Sequence, residues 1–391
     1  MRTLPNIKEE MKRLDDAIDK FIRCMLNNYE FSDLERTWFS LPPKLGGLGI
    51  VVPSELCDIY YNNSKAMTKS LVDGIVNQHK QVENKNSEEQ GTKSVKAEMR
   101  NQKEARNKEK FTQVKNQLNE EQQKILEATT EKGASSWLNT LPLKKQNFHL
   151  NKQLFWDSIY LRYNISIPRL PTTCVCGSKF DIQHALTCKR GGFIGIRHDE
   201  LRNFTAEVLS EVCNDVVVEP LLTPLTGEHF NLKSANTEDN ARLDVAARGV
   251  WTRGSRAFFD IRVFNPLAQC YNDSTIKAAH KSNENSKKRE YNERVLQVEH
   301  GSFTPLVFST FGGMSVECGN LFNKLAEKIA EKRDISSSIA KNWIRTKLNF
   351  CLLRTTNLCI RGSRGKLYET EQLRNTNIVM ATVDAGIDGV A

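Results

Sequence analysis

Three cysteines and one histidine lie within a fifteen-residue segment, CVCGSKFDIQHALTC, and restrict what this part of the chain can form. Cys174, Cys176, His184 and Cys188 have the spacing C-x-C-x7-H-x3-C. A turn relieved by Gly177 brings the first cysteine pair together. A short helix then presents His184 and Cys188 on one face, because residues four apart are neighbours on a helix. The four side chains match the ligand set of a tetrahedral zinc ion.

The alternative is three buried cysteines and an ordinary histidine. Random spacing rarely places three cysteines and a histidine in this arrangement within fifteen residues, and the other seven of the ten cysteines are scattered singly. The C-x-C spacing is nevertheless tighter than the usual C-x2-C. Four protein ligands complete the coordination, so we predict a structural or nucleic-acid-contacting Zn²⁺ rather than a catalytic one. Lys179, Lys189 and Arg190 place positive charge beside it, which suits phosphate contacts.

Charge and composition favour a polyanionic partner. The 391 residues include 56 Lys and Arg against 47 Asp and Glu, a net charge of +9. A net positive charge alone favours nucleic acid only weakly, because the position of the charge on the protein matters more. We predict no membrane partner, because no apolar run is long enough to span a bilayer. The first residues lack the apolar core of a signal peptide. We therefore expect an intracellular protein, nuclear or cytoplasmic, in which clustered cysteines bind metal rather than form disulfides.

Composition divides the chain into five segments. We predict a helical region at 1–73, a charged helix or linker at 74–134, a helical segment with the Cys/His cluster at 135–192, a mixed α and β domain at 193–362, and a disordered tail at 363–391. The segment 74–134 has only a thin apolar stripe (Phe111, Val114, Leu118, Ile125, Leu126). A nucleic-acid-binding helix is an alternative there, but its charges are mixed in sign, which favours a solvated helix or connector.

The pattern from residue 193 predicts an α+β fold. RHDELRNFTAEVLSEVC is an amphipathic helix, and four short β-branched or aromatic runs are typical of buried strands: VVVEP, LDVAA, AFFDIRVF and TPLVFS. Residues 272–294 form a polar, basic helix. Two amphipathic helices follow, and serines cap the start of the second.

Two strands carry an aspartate among apolar neighbours. Asp244 lies in ARLDVAARG and Asp260 in AFFDIRVFNP, with the hairpin sequence GVWTRGSR between them. A buried carboxylate is costly unless it is paired or bound to metal. Two on adjacent strands can share a hard divalent cation, Mg²⁺ or Mn²⁺, which lowers the pKa of a bound water and stabilises a phosphate undergoing attack. Arg262, two residues after Asp260, shares its face of the strand.

Three further side chains join this candidate catalytic set. Lys287 and Tyr291 are neighbours on the basic helix, and Glu200 in the first amphipathic helix can add a carboxylate. The alternative is structural, with Asp244 paired to an arginine and Asp260 serving the fold. The order of these elements along the chain favours catalysis: a helix with an acid, a strand with Asp, a second strand with Asp-x-Arg, and then the basic helix.

This order resembles the C-terminal region of non-LTR retrotransposon polyproteins, in which a reverse transcriptase is followed by a CCHC zinc knuckle and a restriction-like endonuclease of the PD-(D/E)XK type. The segments that carry the resemblance cover most of the chain, most specifically residues 135–362. They are LPPKLGGLGI for the end of the polymerase, CVCGSKFDIQHALTCKRGGF for the knuckle, RLDV and FFDIRV for the nuclease strands, and KKREYNERV with FTPLVFSTFGGM for the downstream helix and strand.

The resemblance implies that Asp244 and Asp260 are the metal ligands and that Lys287 and Tyr291 match a Lys-x3-Tyr helix. Leu243 replaces the proline of the usual Pro-Asp step. Arg262 replaces the motif lysine, and an arginine cannot act as a base near neutral pH. Activity then requires a lysine from elsewhere in the sequence. Lys287 is the leading candidate, and the further candidates are Lys277, Lys281 and Lys288.

A polymerase palm is missing, because Asp15 and Asp16 lie in a helical pattern rather than in a strand-turn-strand. We therefore expect no reverse transcriptase activity, as for a truncated copy. The leading hypothesis is a metal-dependent endonuclease that nicks target DNA. The alternatives are a catalytically inactive, zinc-dependent nucleic-acid-binding remnant and a remnant without a cellular role. The expected partners are DNA and the element's RNA, with no small-molecule substrate.

Overall fold

The computed structural model describes residues 3–78 and 85–362. The described residues divide into two compact units, with the boundary between residues 119 and 120. The division falls inside the segment 74–134, and the segments predicted at 135–192 and 193–362 belong to one unit. Residues 363–391, predicted to be a disordered tail, lie outside the described residues. No described helix combines the length and the apolar character needed to cross a bilayer.

The first unit is helical in its described residues, as the sequence predicts. Its helices are α1 (Lys8–Met25), α2 (Asp33–Ser40), α3 (Pro53–Val76) and α4 (Lys85–Gln117). Helix α1 packs against α3, and α4 contacts α2 and α3. Ser32 and Glu35 form a capping box that fixes the start of α2. Asp15 and Asp16 both lie on α1.

The polar segment 74–134 contributes to packing more than its composition predicts. Val114 and Leu118 at the end of α4 are buried. Helix α5 (Glu120–Thr130) opens the second unit and buries Ile125 and Leu126. This half of the segment is helical, one of the two alternatives expected for it, and its thin apolar stripe is enough to bury one helix face.

The second unit continues with α6 (Lys152–Tyr163) and the short α7 (Ile182–Thr187). Trp137, Tyr160 and Tyr163 are buried. These aromatic side chains therefore belong to the core rather than to a surface that could stack on bases.

Four strands of the described residues form one mixed sheet beside α8 (Phe193–Val212). They are β1 (Asn214–Val218), β2 (Val245–Arg248), β3 (Arg256–Phe264) and β4 (Ser302–Ser309), in the spatial order β1-β2-β3-β4. The pairs β1–β2 and β2–β3 are antiparallel, and β3–β4 is parallel. The predicted α+β class and the predicted hairpin between β2 and β3 are confirmed.

Parallel pairing of β3 with β4 requires a crossover, which α9 (Ile276–Gln297) supplies. Helices α10 (Val316–Arg333) and α11 (Ser337–Arg361) follow. Ser336 caps the start of α11, as its serines predict. Helix α9 covers one face of the sheet, where Tyr291 meets Phe303, while Phe308 meets Phe322 of α10 on the opposite face.

The long connection from β1 to β2 is held against α9 by one arginine. Arg294 is fully buried, and its guanidinium donates to the carbonyl oxygens of Thr223, Asn236 and Glu238 at 3.1, 3.3 and 2.7 Å. Because this connection leads directly into Asp244, Arg294 fixes the approach of that residue to the sheet.

Candidate metal centre and carboxylate site

The Cys/His cluster begins with a tight turn. Cys174 N donates to Ser178 O at 2.9 Å, and Gly177 N donates to Cys174 O at 2.8 Å. Gly177 has φ +89°, a left-handed conformation that glycine adopts without strain. The turn therefore folds Cys174 and Cys176 toward the same side, and hydrogen bonds from Ser178 lower the pKa of the Cys176 thiol to about 6.

The other two candidate ligands are His184 on helix α7 and Cys188 at its C-terminal end. Asp181 caps it by accepting a hydrogen bond from His184 N at 2.7 Å, and the last turn brings Cys188 N to His184 O at 2.8 Å. Cys174 Sγ lies 3.8 Å from Cys188 Sγ, and Cys176 Sγ lies 3.3 Å from His184 Nε2.

The four ligand atoms lie within 4.8 Å of one another, so the cluster can hold a metal ion such as zinc. Zinc–sulfur bonds of about 2.3 Å in a tetrahedron separate two sulfurs by about 3.8 Å, as in the Cys174–Cys188 pair. Those two cysteines are buried beside Phe193 and Ile360. The cluster is thus part of the packing between α7, α8 and α11.

The carboxylate site begins at Asp244, immediately before β2. Asp244 N donates to Phe259 O at 3.0 Å, which joins this residue to β3. Its carboxylate Oδ2 accepts a hydrogen bond from the backbone N of Ile261 at 2.5 Å and lies 3.1 Å from His198 Nε2. The Asp244 side chain is therefore fixed beside Asp260, the residue that precedes Ile261.

Asp260 is buried and faces α9. Its Oδ2 lies 3.0 Å from Lys287 Nζ. Burial raises the pKa of Asp260 to about 6, the positive charge of Lys287 opposes this rise, and the negative charge of Asp244 adds to it. A cation bound between Asp244 and Asp260, in addition to Lys287, would relieve the repulsion between the two carboxylates.

Lys287 occupies the centre of this site. Burial alone would lower the pKa of its ammonium group, but Asp260 and Glu290 raise it, so the side chain is cationic at neutral pH. Glu290 Oε2 lies 3.4 Å from Nζ, and the ring of Tyr291 lies beneath it with its centroid at 5.3 Å. Burial raises the pKa of the Tyr291 hydroxyl, which keeps Tyr291 neutral.

The other lysines considered from the sequence have different surroundings. Lys281 pairs with Glu284 at 3.2 Å, and Lys288 pairs with Glu317 at 2.6 Å. Arg262 is exposed, and no ion pair joins it to either aspartate in the described part of the chain. The basic group that the structure places at Asp260 is therefore Lys287.

His198 is the site residue that the sequence analysis missed. Burial would lower the pKa of its imidazole, but the hydrogen bond to Asp244 and the charges of Asp244 and Asp260 raise it. Its sequence signal was its place beside the buried face of α8, next to Arg197 and three residues before Leu201. A histidine in that position is common, so the sequence alone does not distinguish it.

Glu200 lies in a different electrostatic environment from the one predicted. Burial raises its pKa to about 7, the charges of Glu207 and Asp199 add to the rise, and Arg354 opposes it. The acid on α8 that faces Arg354 of α11 is thus separate from the His198 contact to Asp244. One turn of helix contains residues that face different partners, and the sequence order does not show which one meets the sheet.

Substitution Glu200→Gln is expected to stabilise the protein above pH 7. Because the folded pKa is raised above the unfolded value of 4.5, Glu200 contributes stability that is present below pH 4.5 and lost as the pH rises through about 7. The Gln variant avoids that loss. After allowance for solvent screening, the gain is about 1 kcal/mol at pH 8 and close to zero at pH 4.5.

Urea unfolding across this pH range measures the difference. Glu331→Gln on the exposed face of α10 is the matched control. A stabilisation that does not change with pH would contradict the buried-carboxyl explanation for Glu200.

Comparisons with known proteins do not add to this picture: no protein-family profile matches the chain, and no curated protein matches it significantly. The chemistry of the two sites therefore carries the functional argument. One site offers soft ligands in a tetrahedral set. The other offers two carboxylates, one just before β2 and one on β3, with a lysine, a histidine and a tyrosine around them.

Proposed function

We propose that the second unit is a metal-dependent DNA endonuclease that hydrolyses a phosphodiester bond in target DNA. The observation that carries the proposal is the meeting of three groups from separate elements. Asp244 immediately precedes β2 and Asp260 lies on the neighbouring β3, the negative charge of Asp244 raises the pKa of Asp260, and Lys287 Nζ lies 3.0 Å from Asp260 Oδ2. Hydrolysis of a phosphodiester needs an activated water and neutralisation of the phosphate charge, which carboxylates with a divalent cation and a lysine can supply.

In this proposal Asp244 and Asp260 hold Mg²⁺ or Mn²⁺, for which carboxylate oxygens are the preferred ligands. The bound ion would lower the pKa of a water and neutralise phosphate charge. Lys287 contributes a positive charge beside Asp260, and Tyr291 packs beneath it. His198 orients Asp244 through the hydrogen bond to Oδ2. Arg262, exposed on the same strand, contacts the DNA backbone.

We also propose that the chain is the C-terminal region of a retrotransposon polyprotein, with a CCHC knuckle and a PD-(D/E)XK-like nuclease. The support is the order of elements along the chain. After the Cys/His cluster come one helix, an antiparallel meander, a crossover helix and a parallel strand, so the sheet is mixed and flanked by helices. DNA and the element's RNA are then the proposed partners, and no polymerase activity is expected.

Conversion of supercoiled plasmid to the open-circular form tests the endonuclease proposal. We expect nicking to depend on Mg²⁺ or Mn²⁺ and to fall by roughly 100-fold or more in Asp244→Asn and in Asp260→Asn. Asp273→Asn, at an exposed position before α9, is the matched control and should nick as the unmodified protein does. Nicking that survives both site substitutions would sink the proposal.

A second candidate is a catalytically inactive, zinc-dependent nucleic-acid-binding protein. The exposure of Arg262 favours the binding protein. Arg262 stands where the nuclease motif has its lysine, and because it is exposed it contributes no group to the carboxylate site. Plasmid nicking and DNA binding, measured on the same variants, separate the two candidates. Salt-sensitive DNA binding without any nicking, unchanged by Asp260→Asn, supports the binding protein.

A further inference from the structure

The turn between β2 and β3 has features that the proposed catalysis does not use. Residues 248–256, named here the arginine hairpin, read RGVWTRGSR and contain three arginines and one tryptophan. Arg248 and Arg256 are directly opposed Cα partners in the antiparallel pair. Like charges in opposed positions destabilise a sheet, so the free protein carries an electrostatic cost at this turn.

Neighbouring groups relieve only part of that charge. Asp215 pairs with Arg248 at 2.9 Å, and both side chains remain about half exposed or more. Arg256 lies over the ring of Phe258, with its guanidinium carbon 4.9 Å from the ring centroid. Arg253 is exposed at the turn. Three cations around one carboxylate leave a net positive charge that an anion would neutralise.

The hairpin is held rigidly from behind. Val250 is fully buried, and Lys328 of α10 donates to Gly249 O at 2.7 Å. Arg248 Nη1 also donates to Gly254 O at 3.2 Å. These contacts fix the turn, yet its largest side chain, Trp251, remains 40% exposed. A tryptophan presented on a rigid, basic turn offers a ring face to a ligand at small entropic cost.

The hairpin is connected to the carboxylate site by one strand. Arg256 and Asp260 are four residues apart on β3, so they share a face and lie about 13 Å apart. A DNA strand with a phosphate at Asp260 therefore needs only a few nucleotides to reach the arginine hairpin.

We propose that the arginine hairpin binds unpaired nucleotides beside the cleaved phosphodiester, an inference that rests on the proposed endonuclease function. Trp251 stacks on a base, and the arginines bind the adjacent phosphates. Stacking on an exposed ring requires a base that is free of its own stack, so the substrate class is DNA with single-stranded character next to the cleavage position. The charge of the hairpin fits the polyanionic backbone.

Equilibrium binding of a labelled oligonucleotide, followed by fluorescence anisotropy without Mg²⁺ or Mn²⁺, tests this inference. Trp251→Ala is expected to weaken binding of single-stranded DNA roughly tenfold while duplex binding changes less than about twofold. Trp251→Phe keeps a stacking ring and should retain most of the affinity. Arg253→Ala should weaken both ligands and reduce the slope of log affinity against log salt by about one.

Matched controls separate the hairpin from general surface effects. Val316→Ala removes exposed apolar surface at the start of α10, and Lys145→Ala removes an exposed cation of the same unit. Circular dichroism checks that each variant is folded. Equal single-strand binding by Trp251→Ala and the unmodified protein overturns the inference.

The failure of this inference and the failure of the proposed function give different results. If nicking requires Asp260 but Trp251→Ala binds normally, the endonuclease stands and the hairpin assignment falls. If Trp251→Ala loses single-strand binding and no metal supports nicking, the hairpin assignment stands for a binding protein and the endonuclease falls.

Discussion

Replacement of Lys287 by methionine is expected to lower the plasmid-nicking rate by roughly 100-fold or more, with DNA affinity reduced only slightly. Methionine keeps most of the volume beside Tyr291 but removes the charge that lies 3.0 Å from Asp260 Oδ2. The buried carboxylate then loses its cationic partner, and its pKa rises further above the usual range. The rate constant for nicking at saturating protein is the quantity to measure.

Two comparisons make the Lys287 result specific. Lys287→Arg keeps a positive charge and should recover part of the rate if the role is electrostatic. Lys288→Met removes the neighbouring lysine, which pairs with Glu317 instead, and should change the rate less than about threefold. Loss of nicking in Lys288→Met with normal nicking in Lys287→Met would contradict the arrangement described for this site.

Removal of metal from the Cys/His cluster is expected to lower the melting temperature of the second unit by about 10 °C or more. Cys174 and Cys188 contact the core formed with Phe193 and Ile360, so loss of the ion would disturb the packing of α7 against α8 and α11. Structural zinc contributes its binding free energy to folding, and a loss of about 4 kcal/mol corresponds to a shift of this size.

Elemental analysis and thermal unfolding of Cys188→Ser test the cluster directly. The unmodified protein should contain one zinc ion per chain, and Cys188→Ser should lose both the ion and the stability. Cys270→Ser, at an exposed cysteine outside the cluster, is the matched control and should keep both. If Cys188→Ser has the same melting temperature as Cys270→Ser, no metal at the cluster supports this fold.

The sequence was sufficient for features that depend on local patterns. The four cluster ligands could be named because a turn and one helical turn bring them together. The strands around Asp244 and Asp260 could be named because their apolar runs are bounded by glycine-rich turns. The helix that carries Lys287 and Tyr291 followed from its polar composition and length.

The rest depends on tertiary contacts that a pattern does not encode. Whether His198 or Glu200 meets Asp244 is decided by the rotation of α8 against the sheet. Which lysine reaches Asp260 is decided by the register of α9, since Lys287 and Lys288 are adjacent in sequence and face different acids. The burial of Ile125 and Leu126 was underestimated because the surrounding segment is so polar.

The parallel pairing of β3 and β4 determines the order in which the residues of the carboxylate site come together during folding. The crossover through α9 must close before β4 can join the sheet, and closing a long loop delays such contacts relative to a local hairpin. Asp244 and Asp260 meet through the hairpin, but Lys287 arrives with the crossover. A chain that ends before Ser302 would leave β3 as an edge strand, with Asp244 and Asp260 brought together by the hairpin but Lys287 without the strand that holds α9 in place.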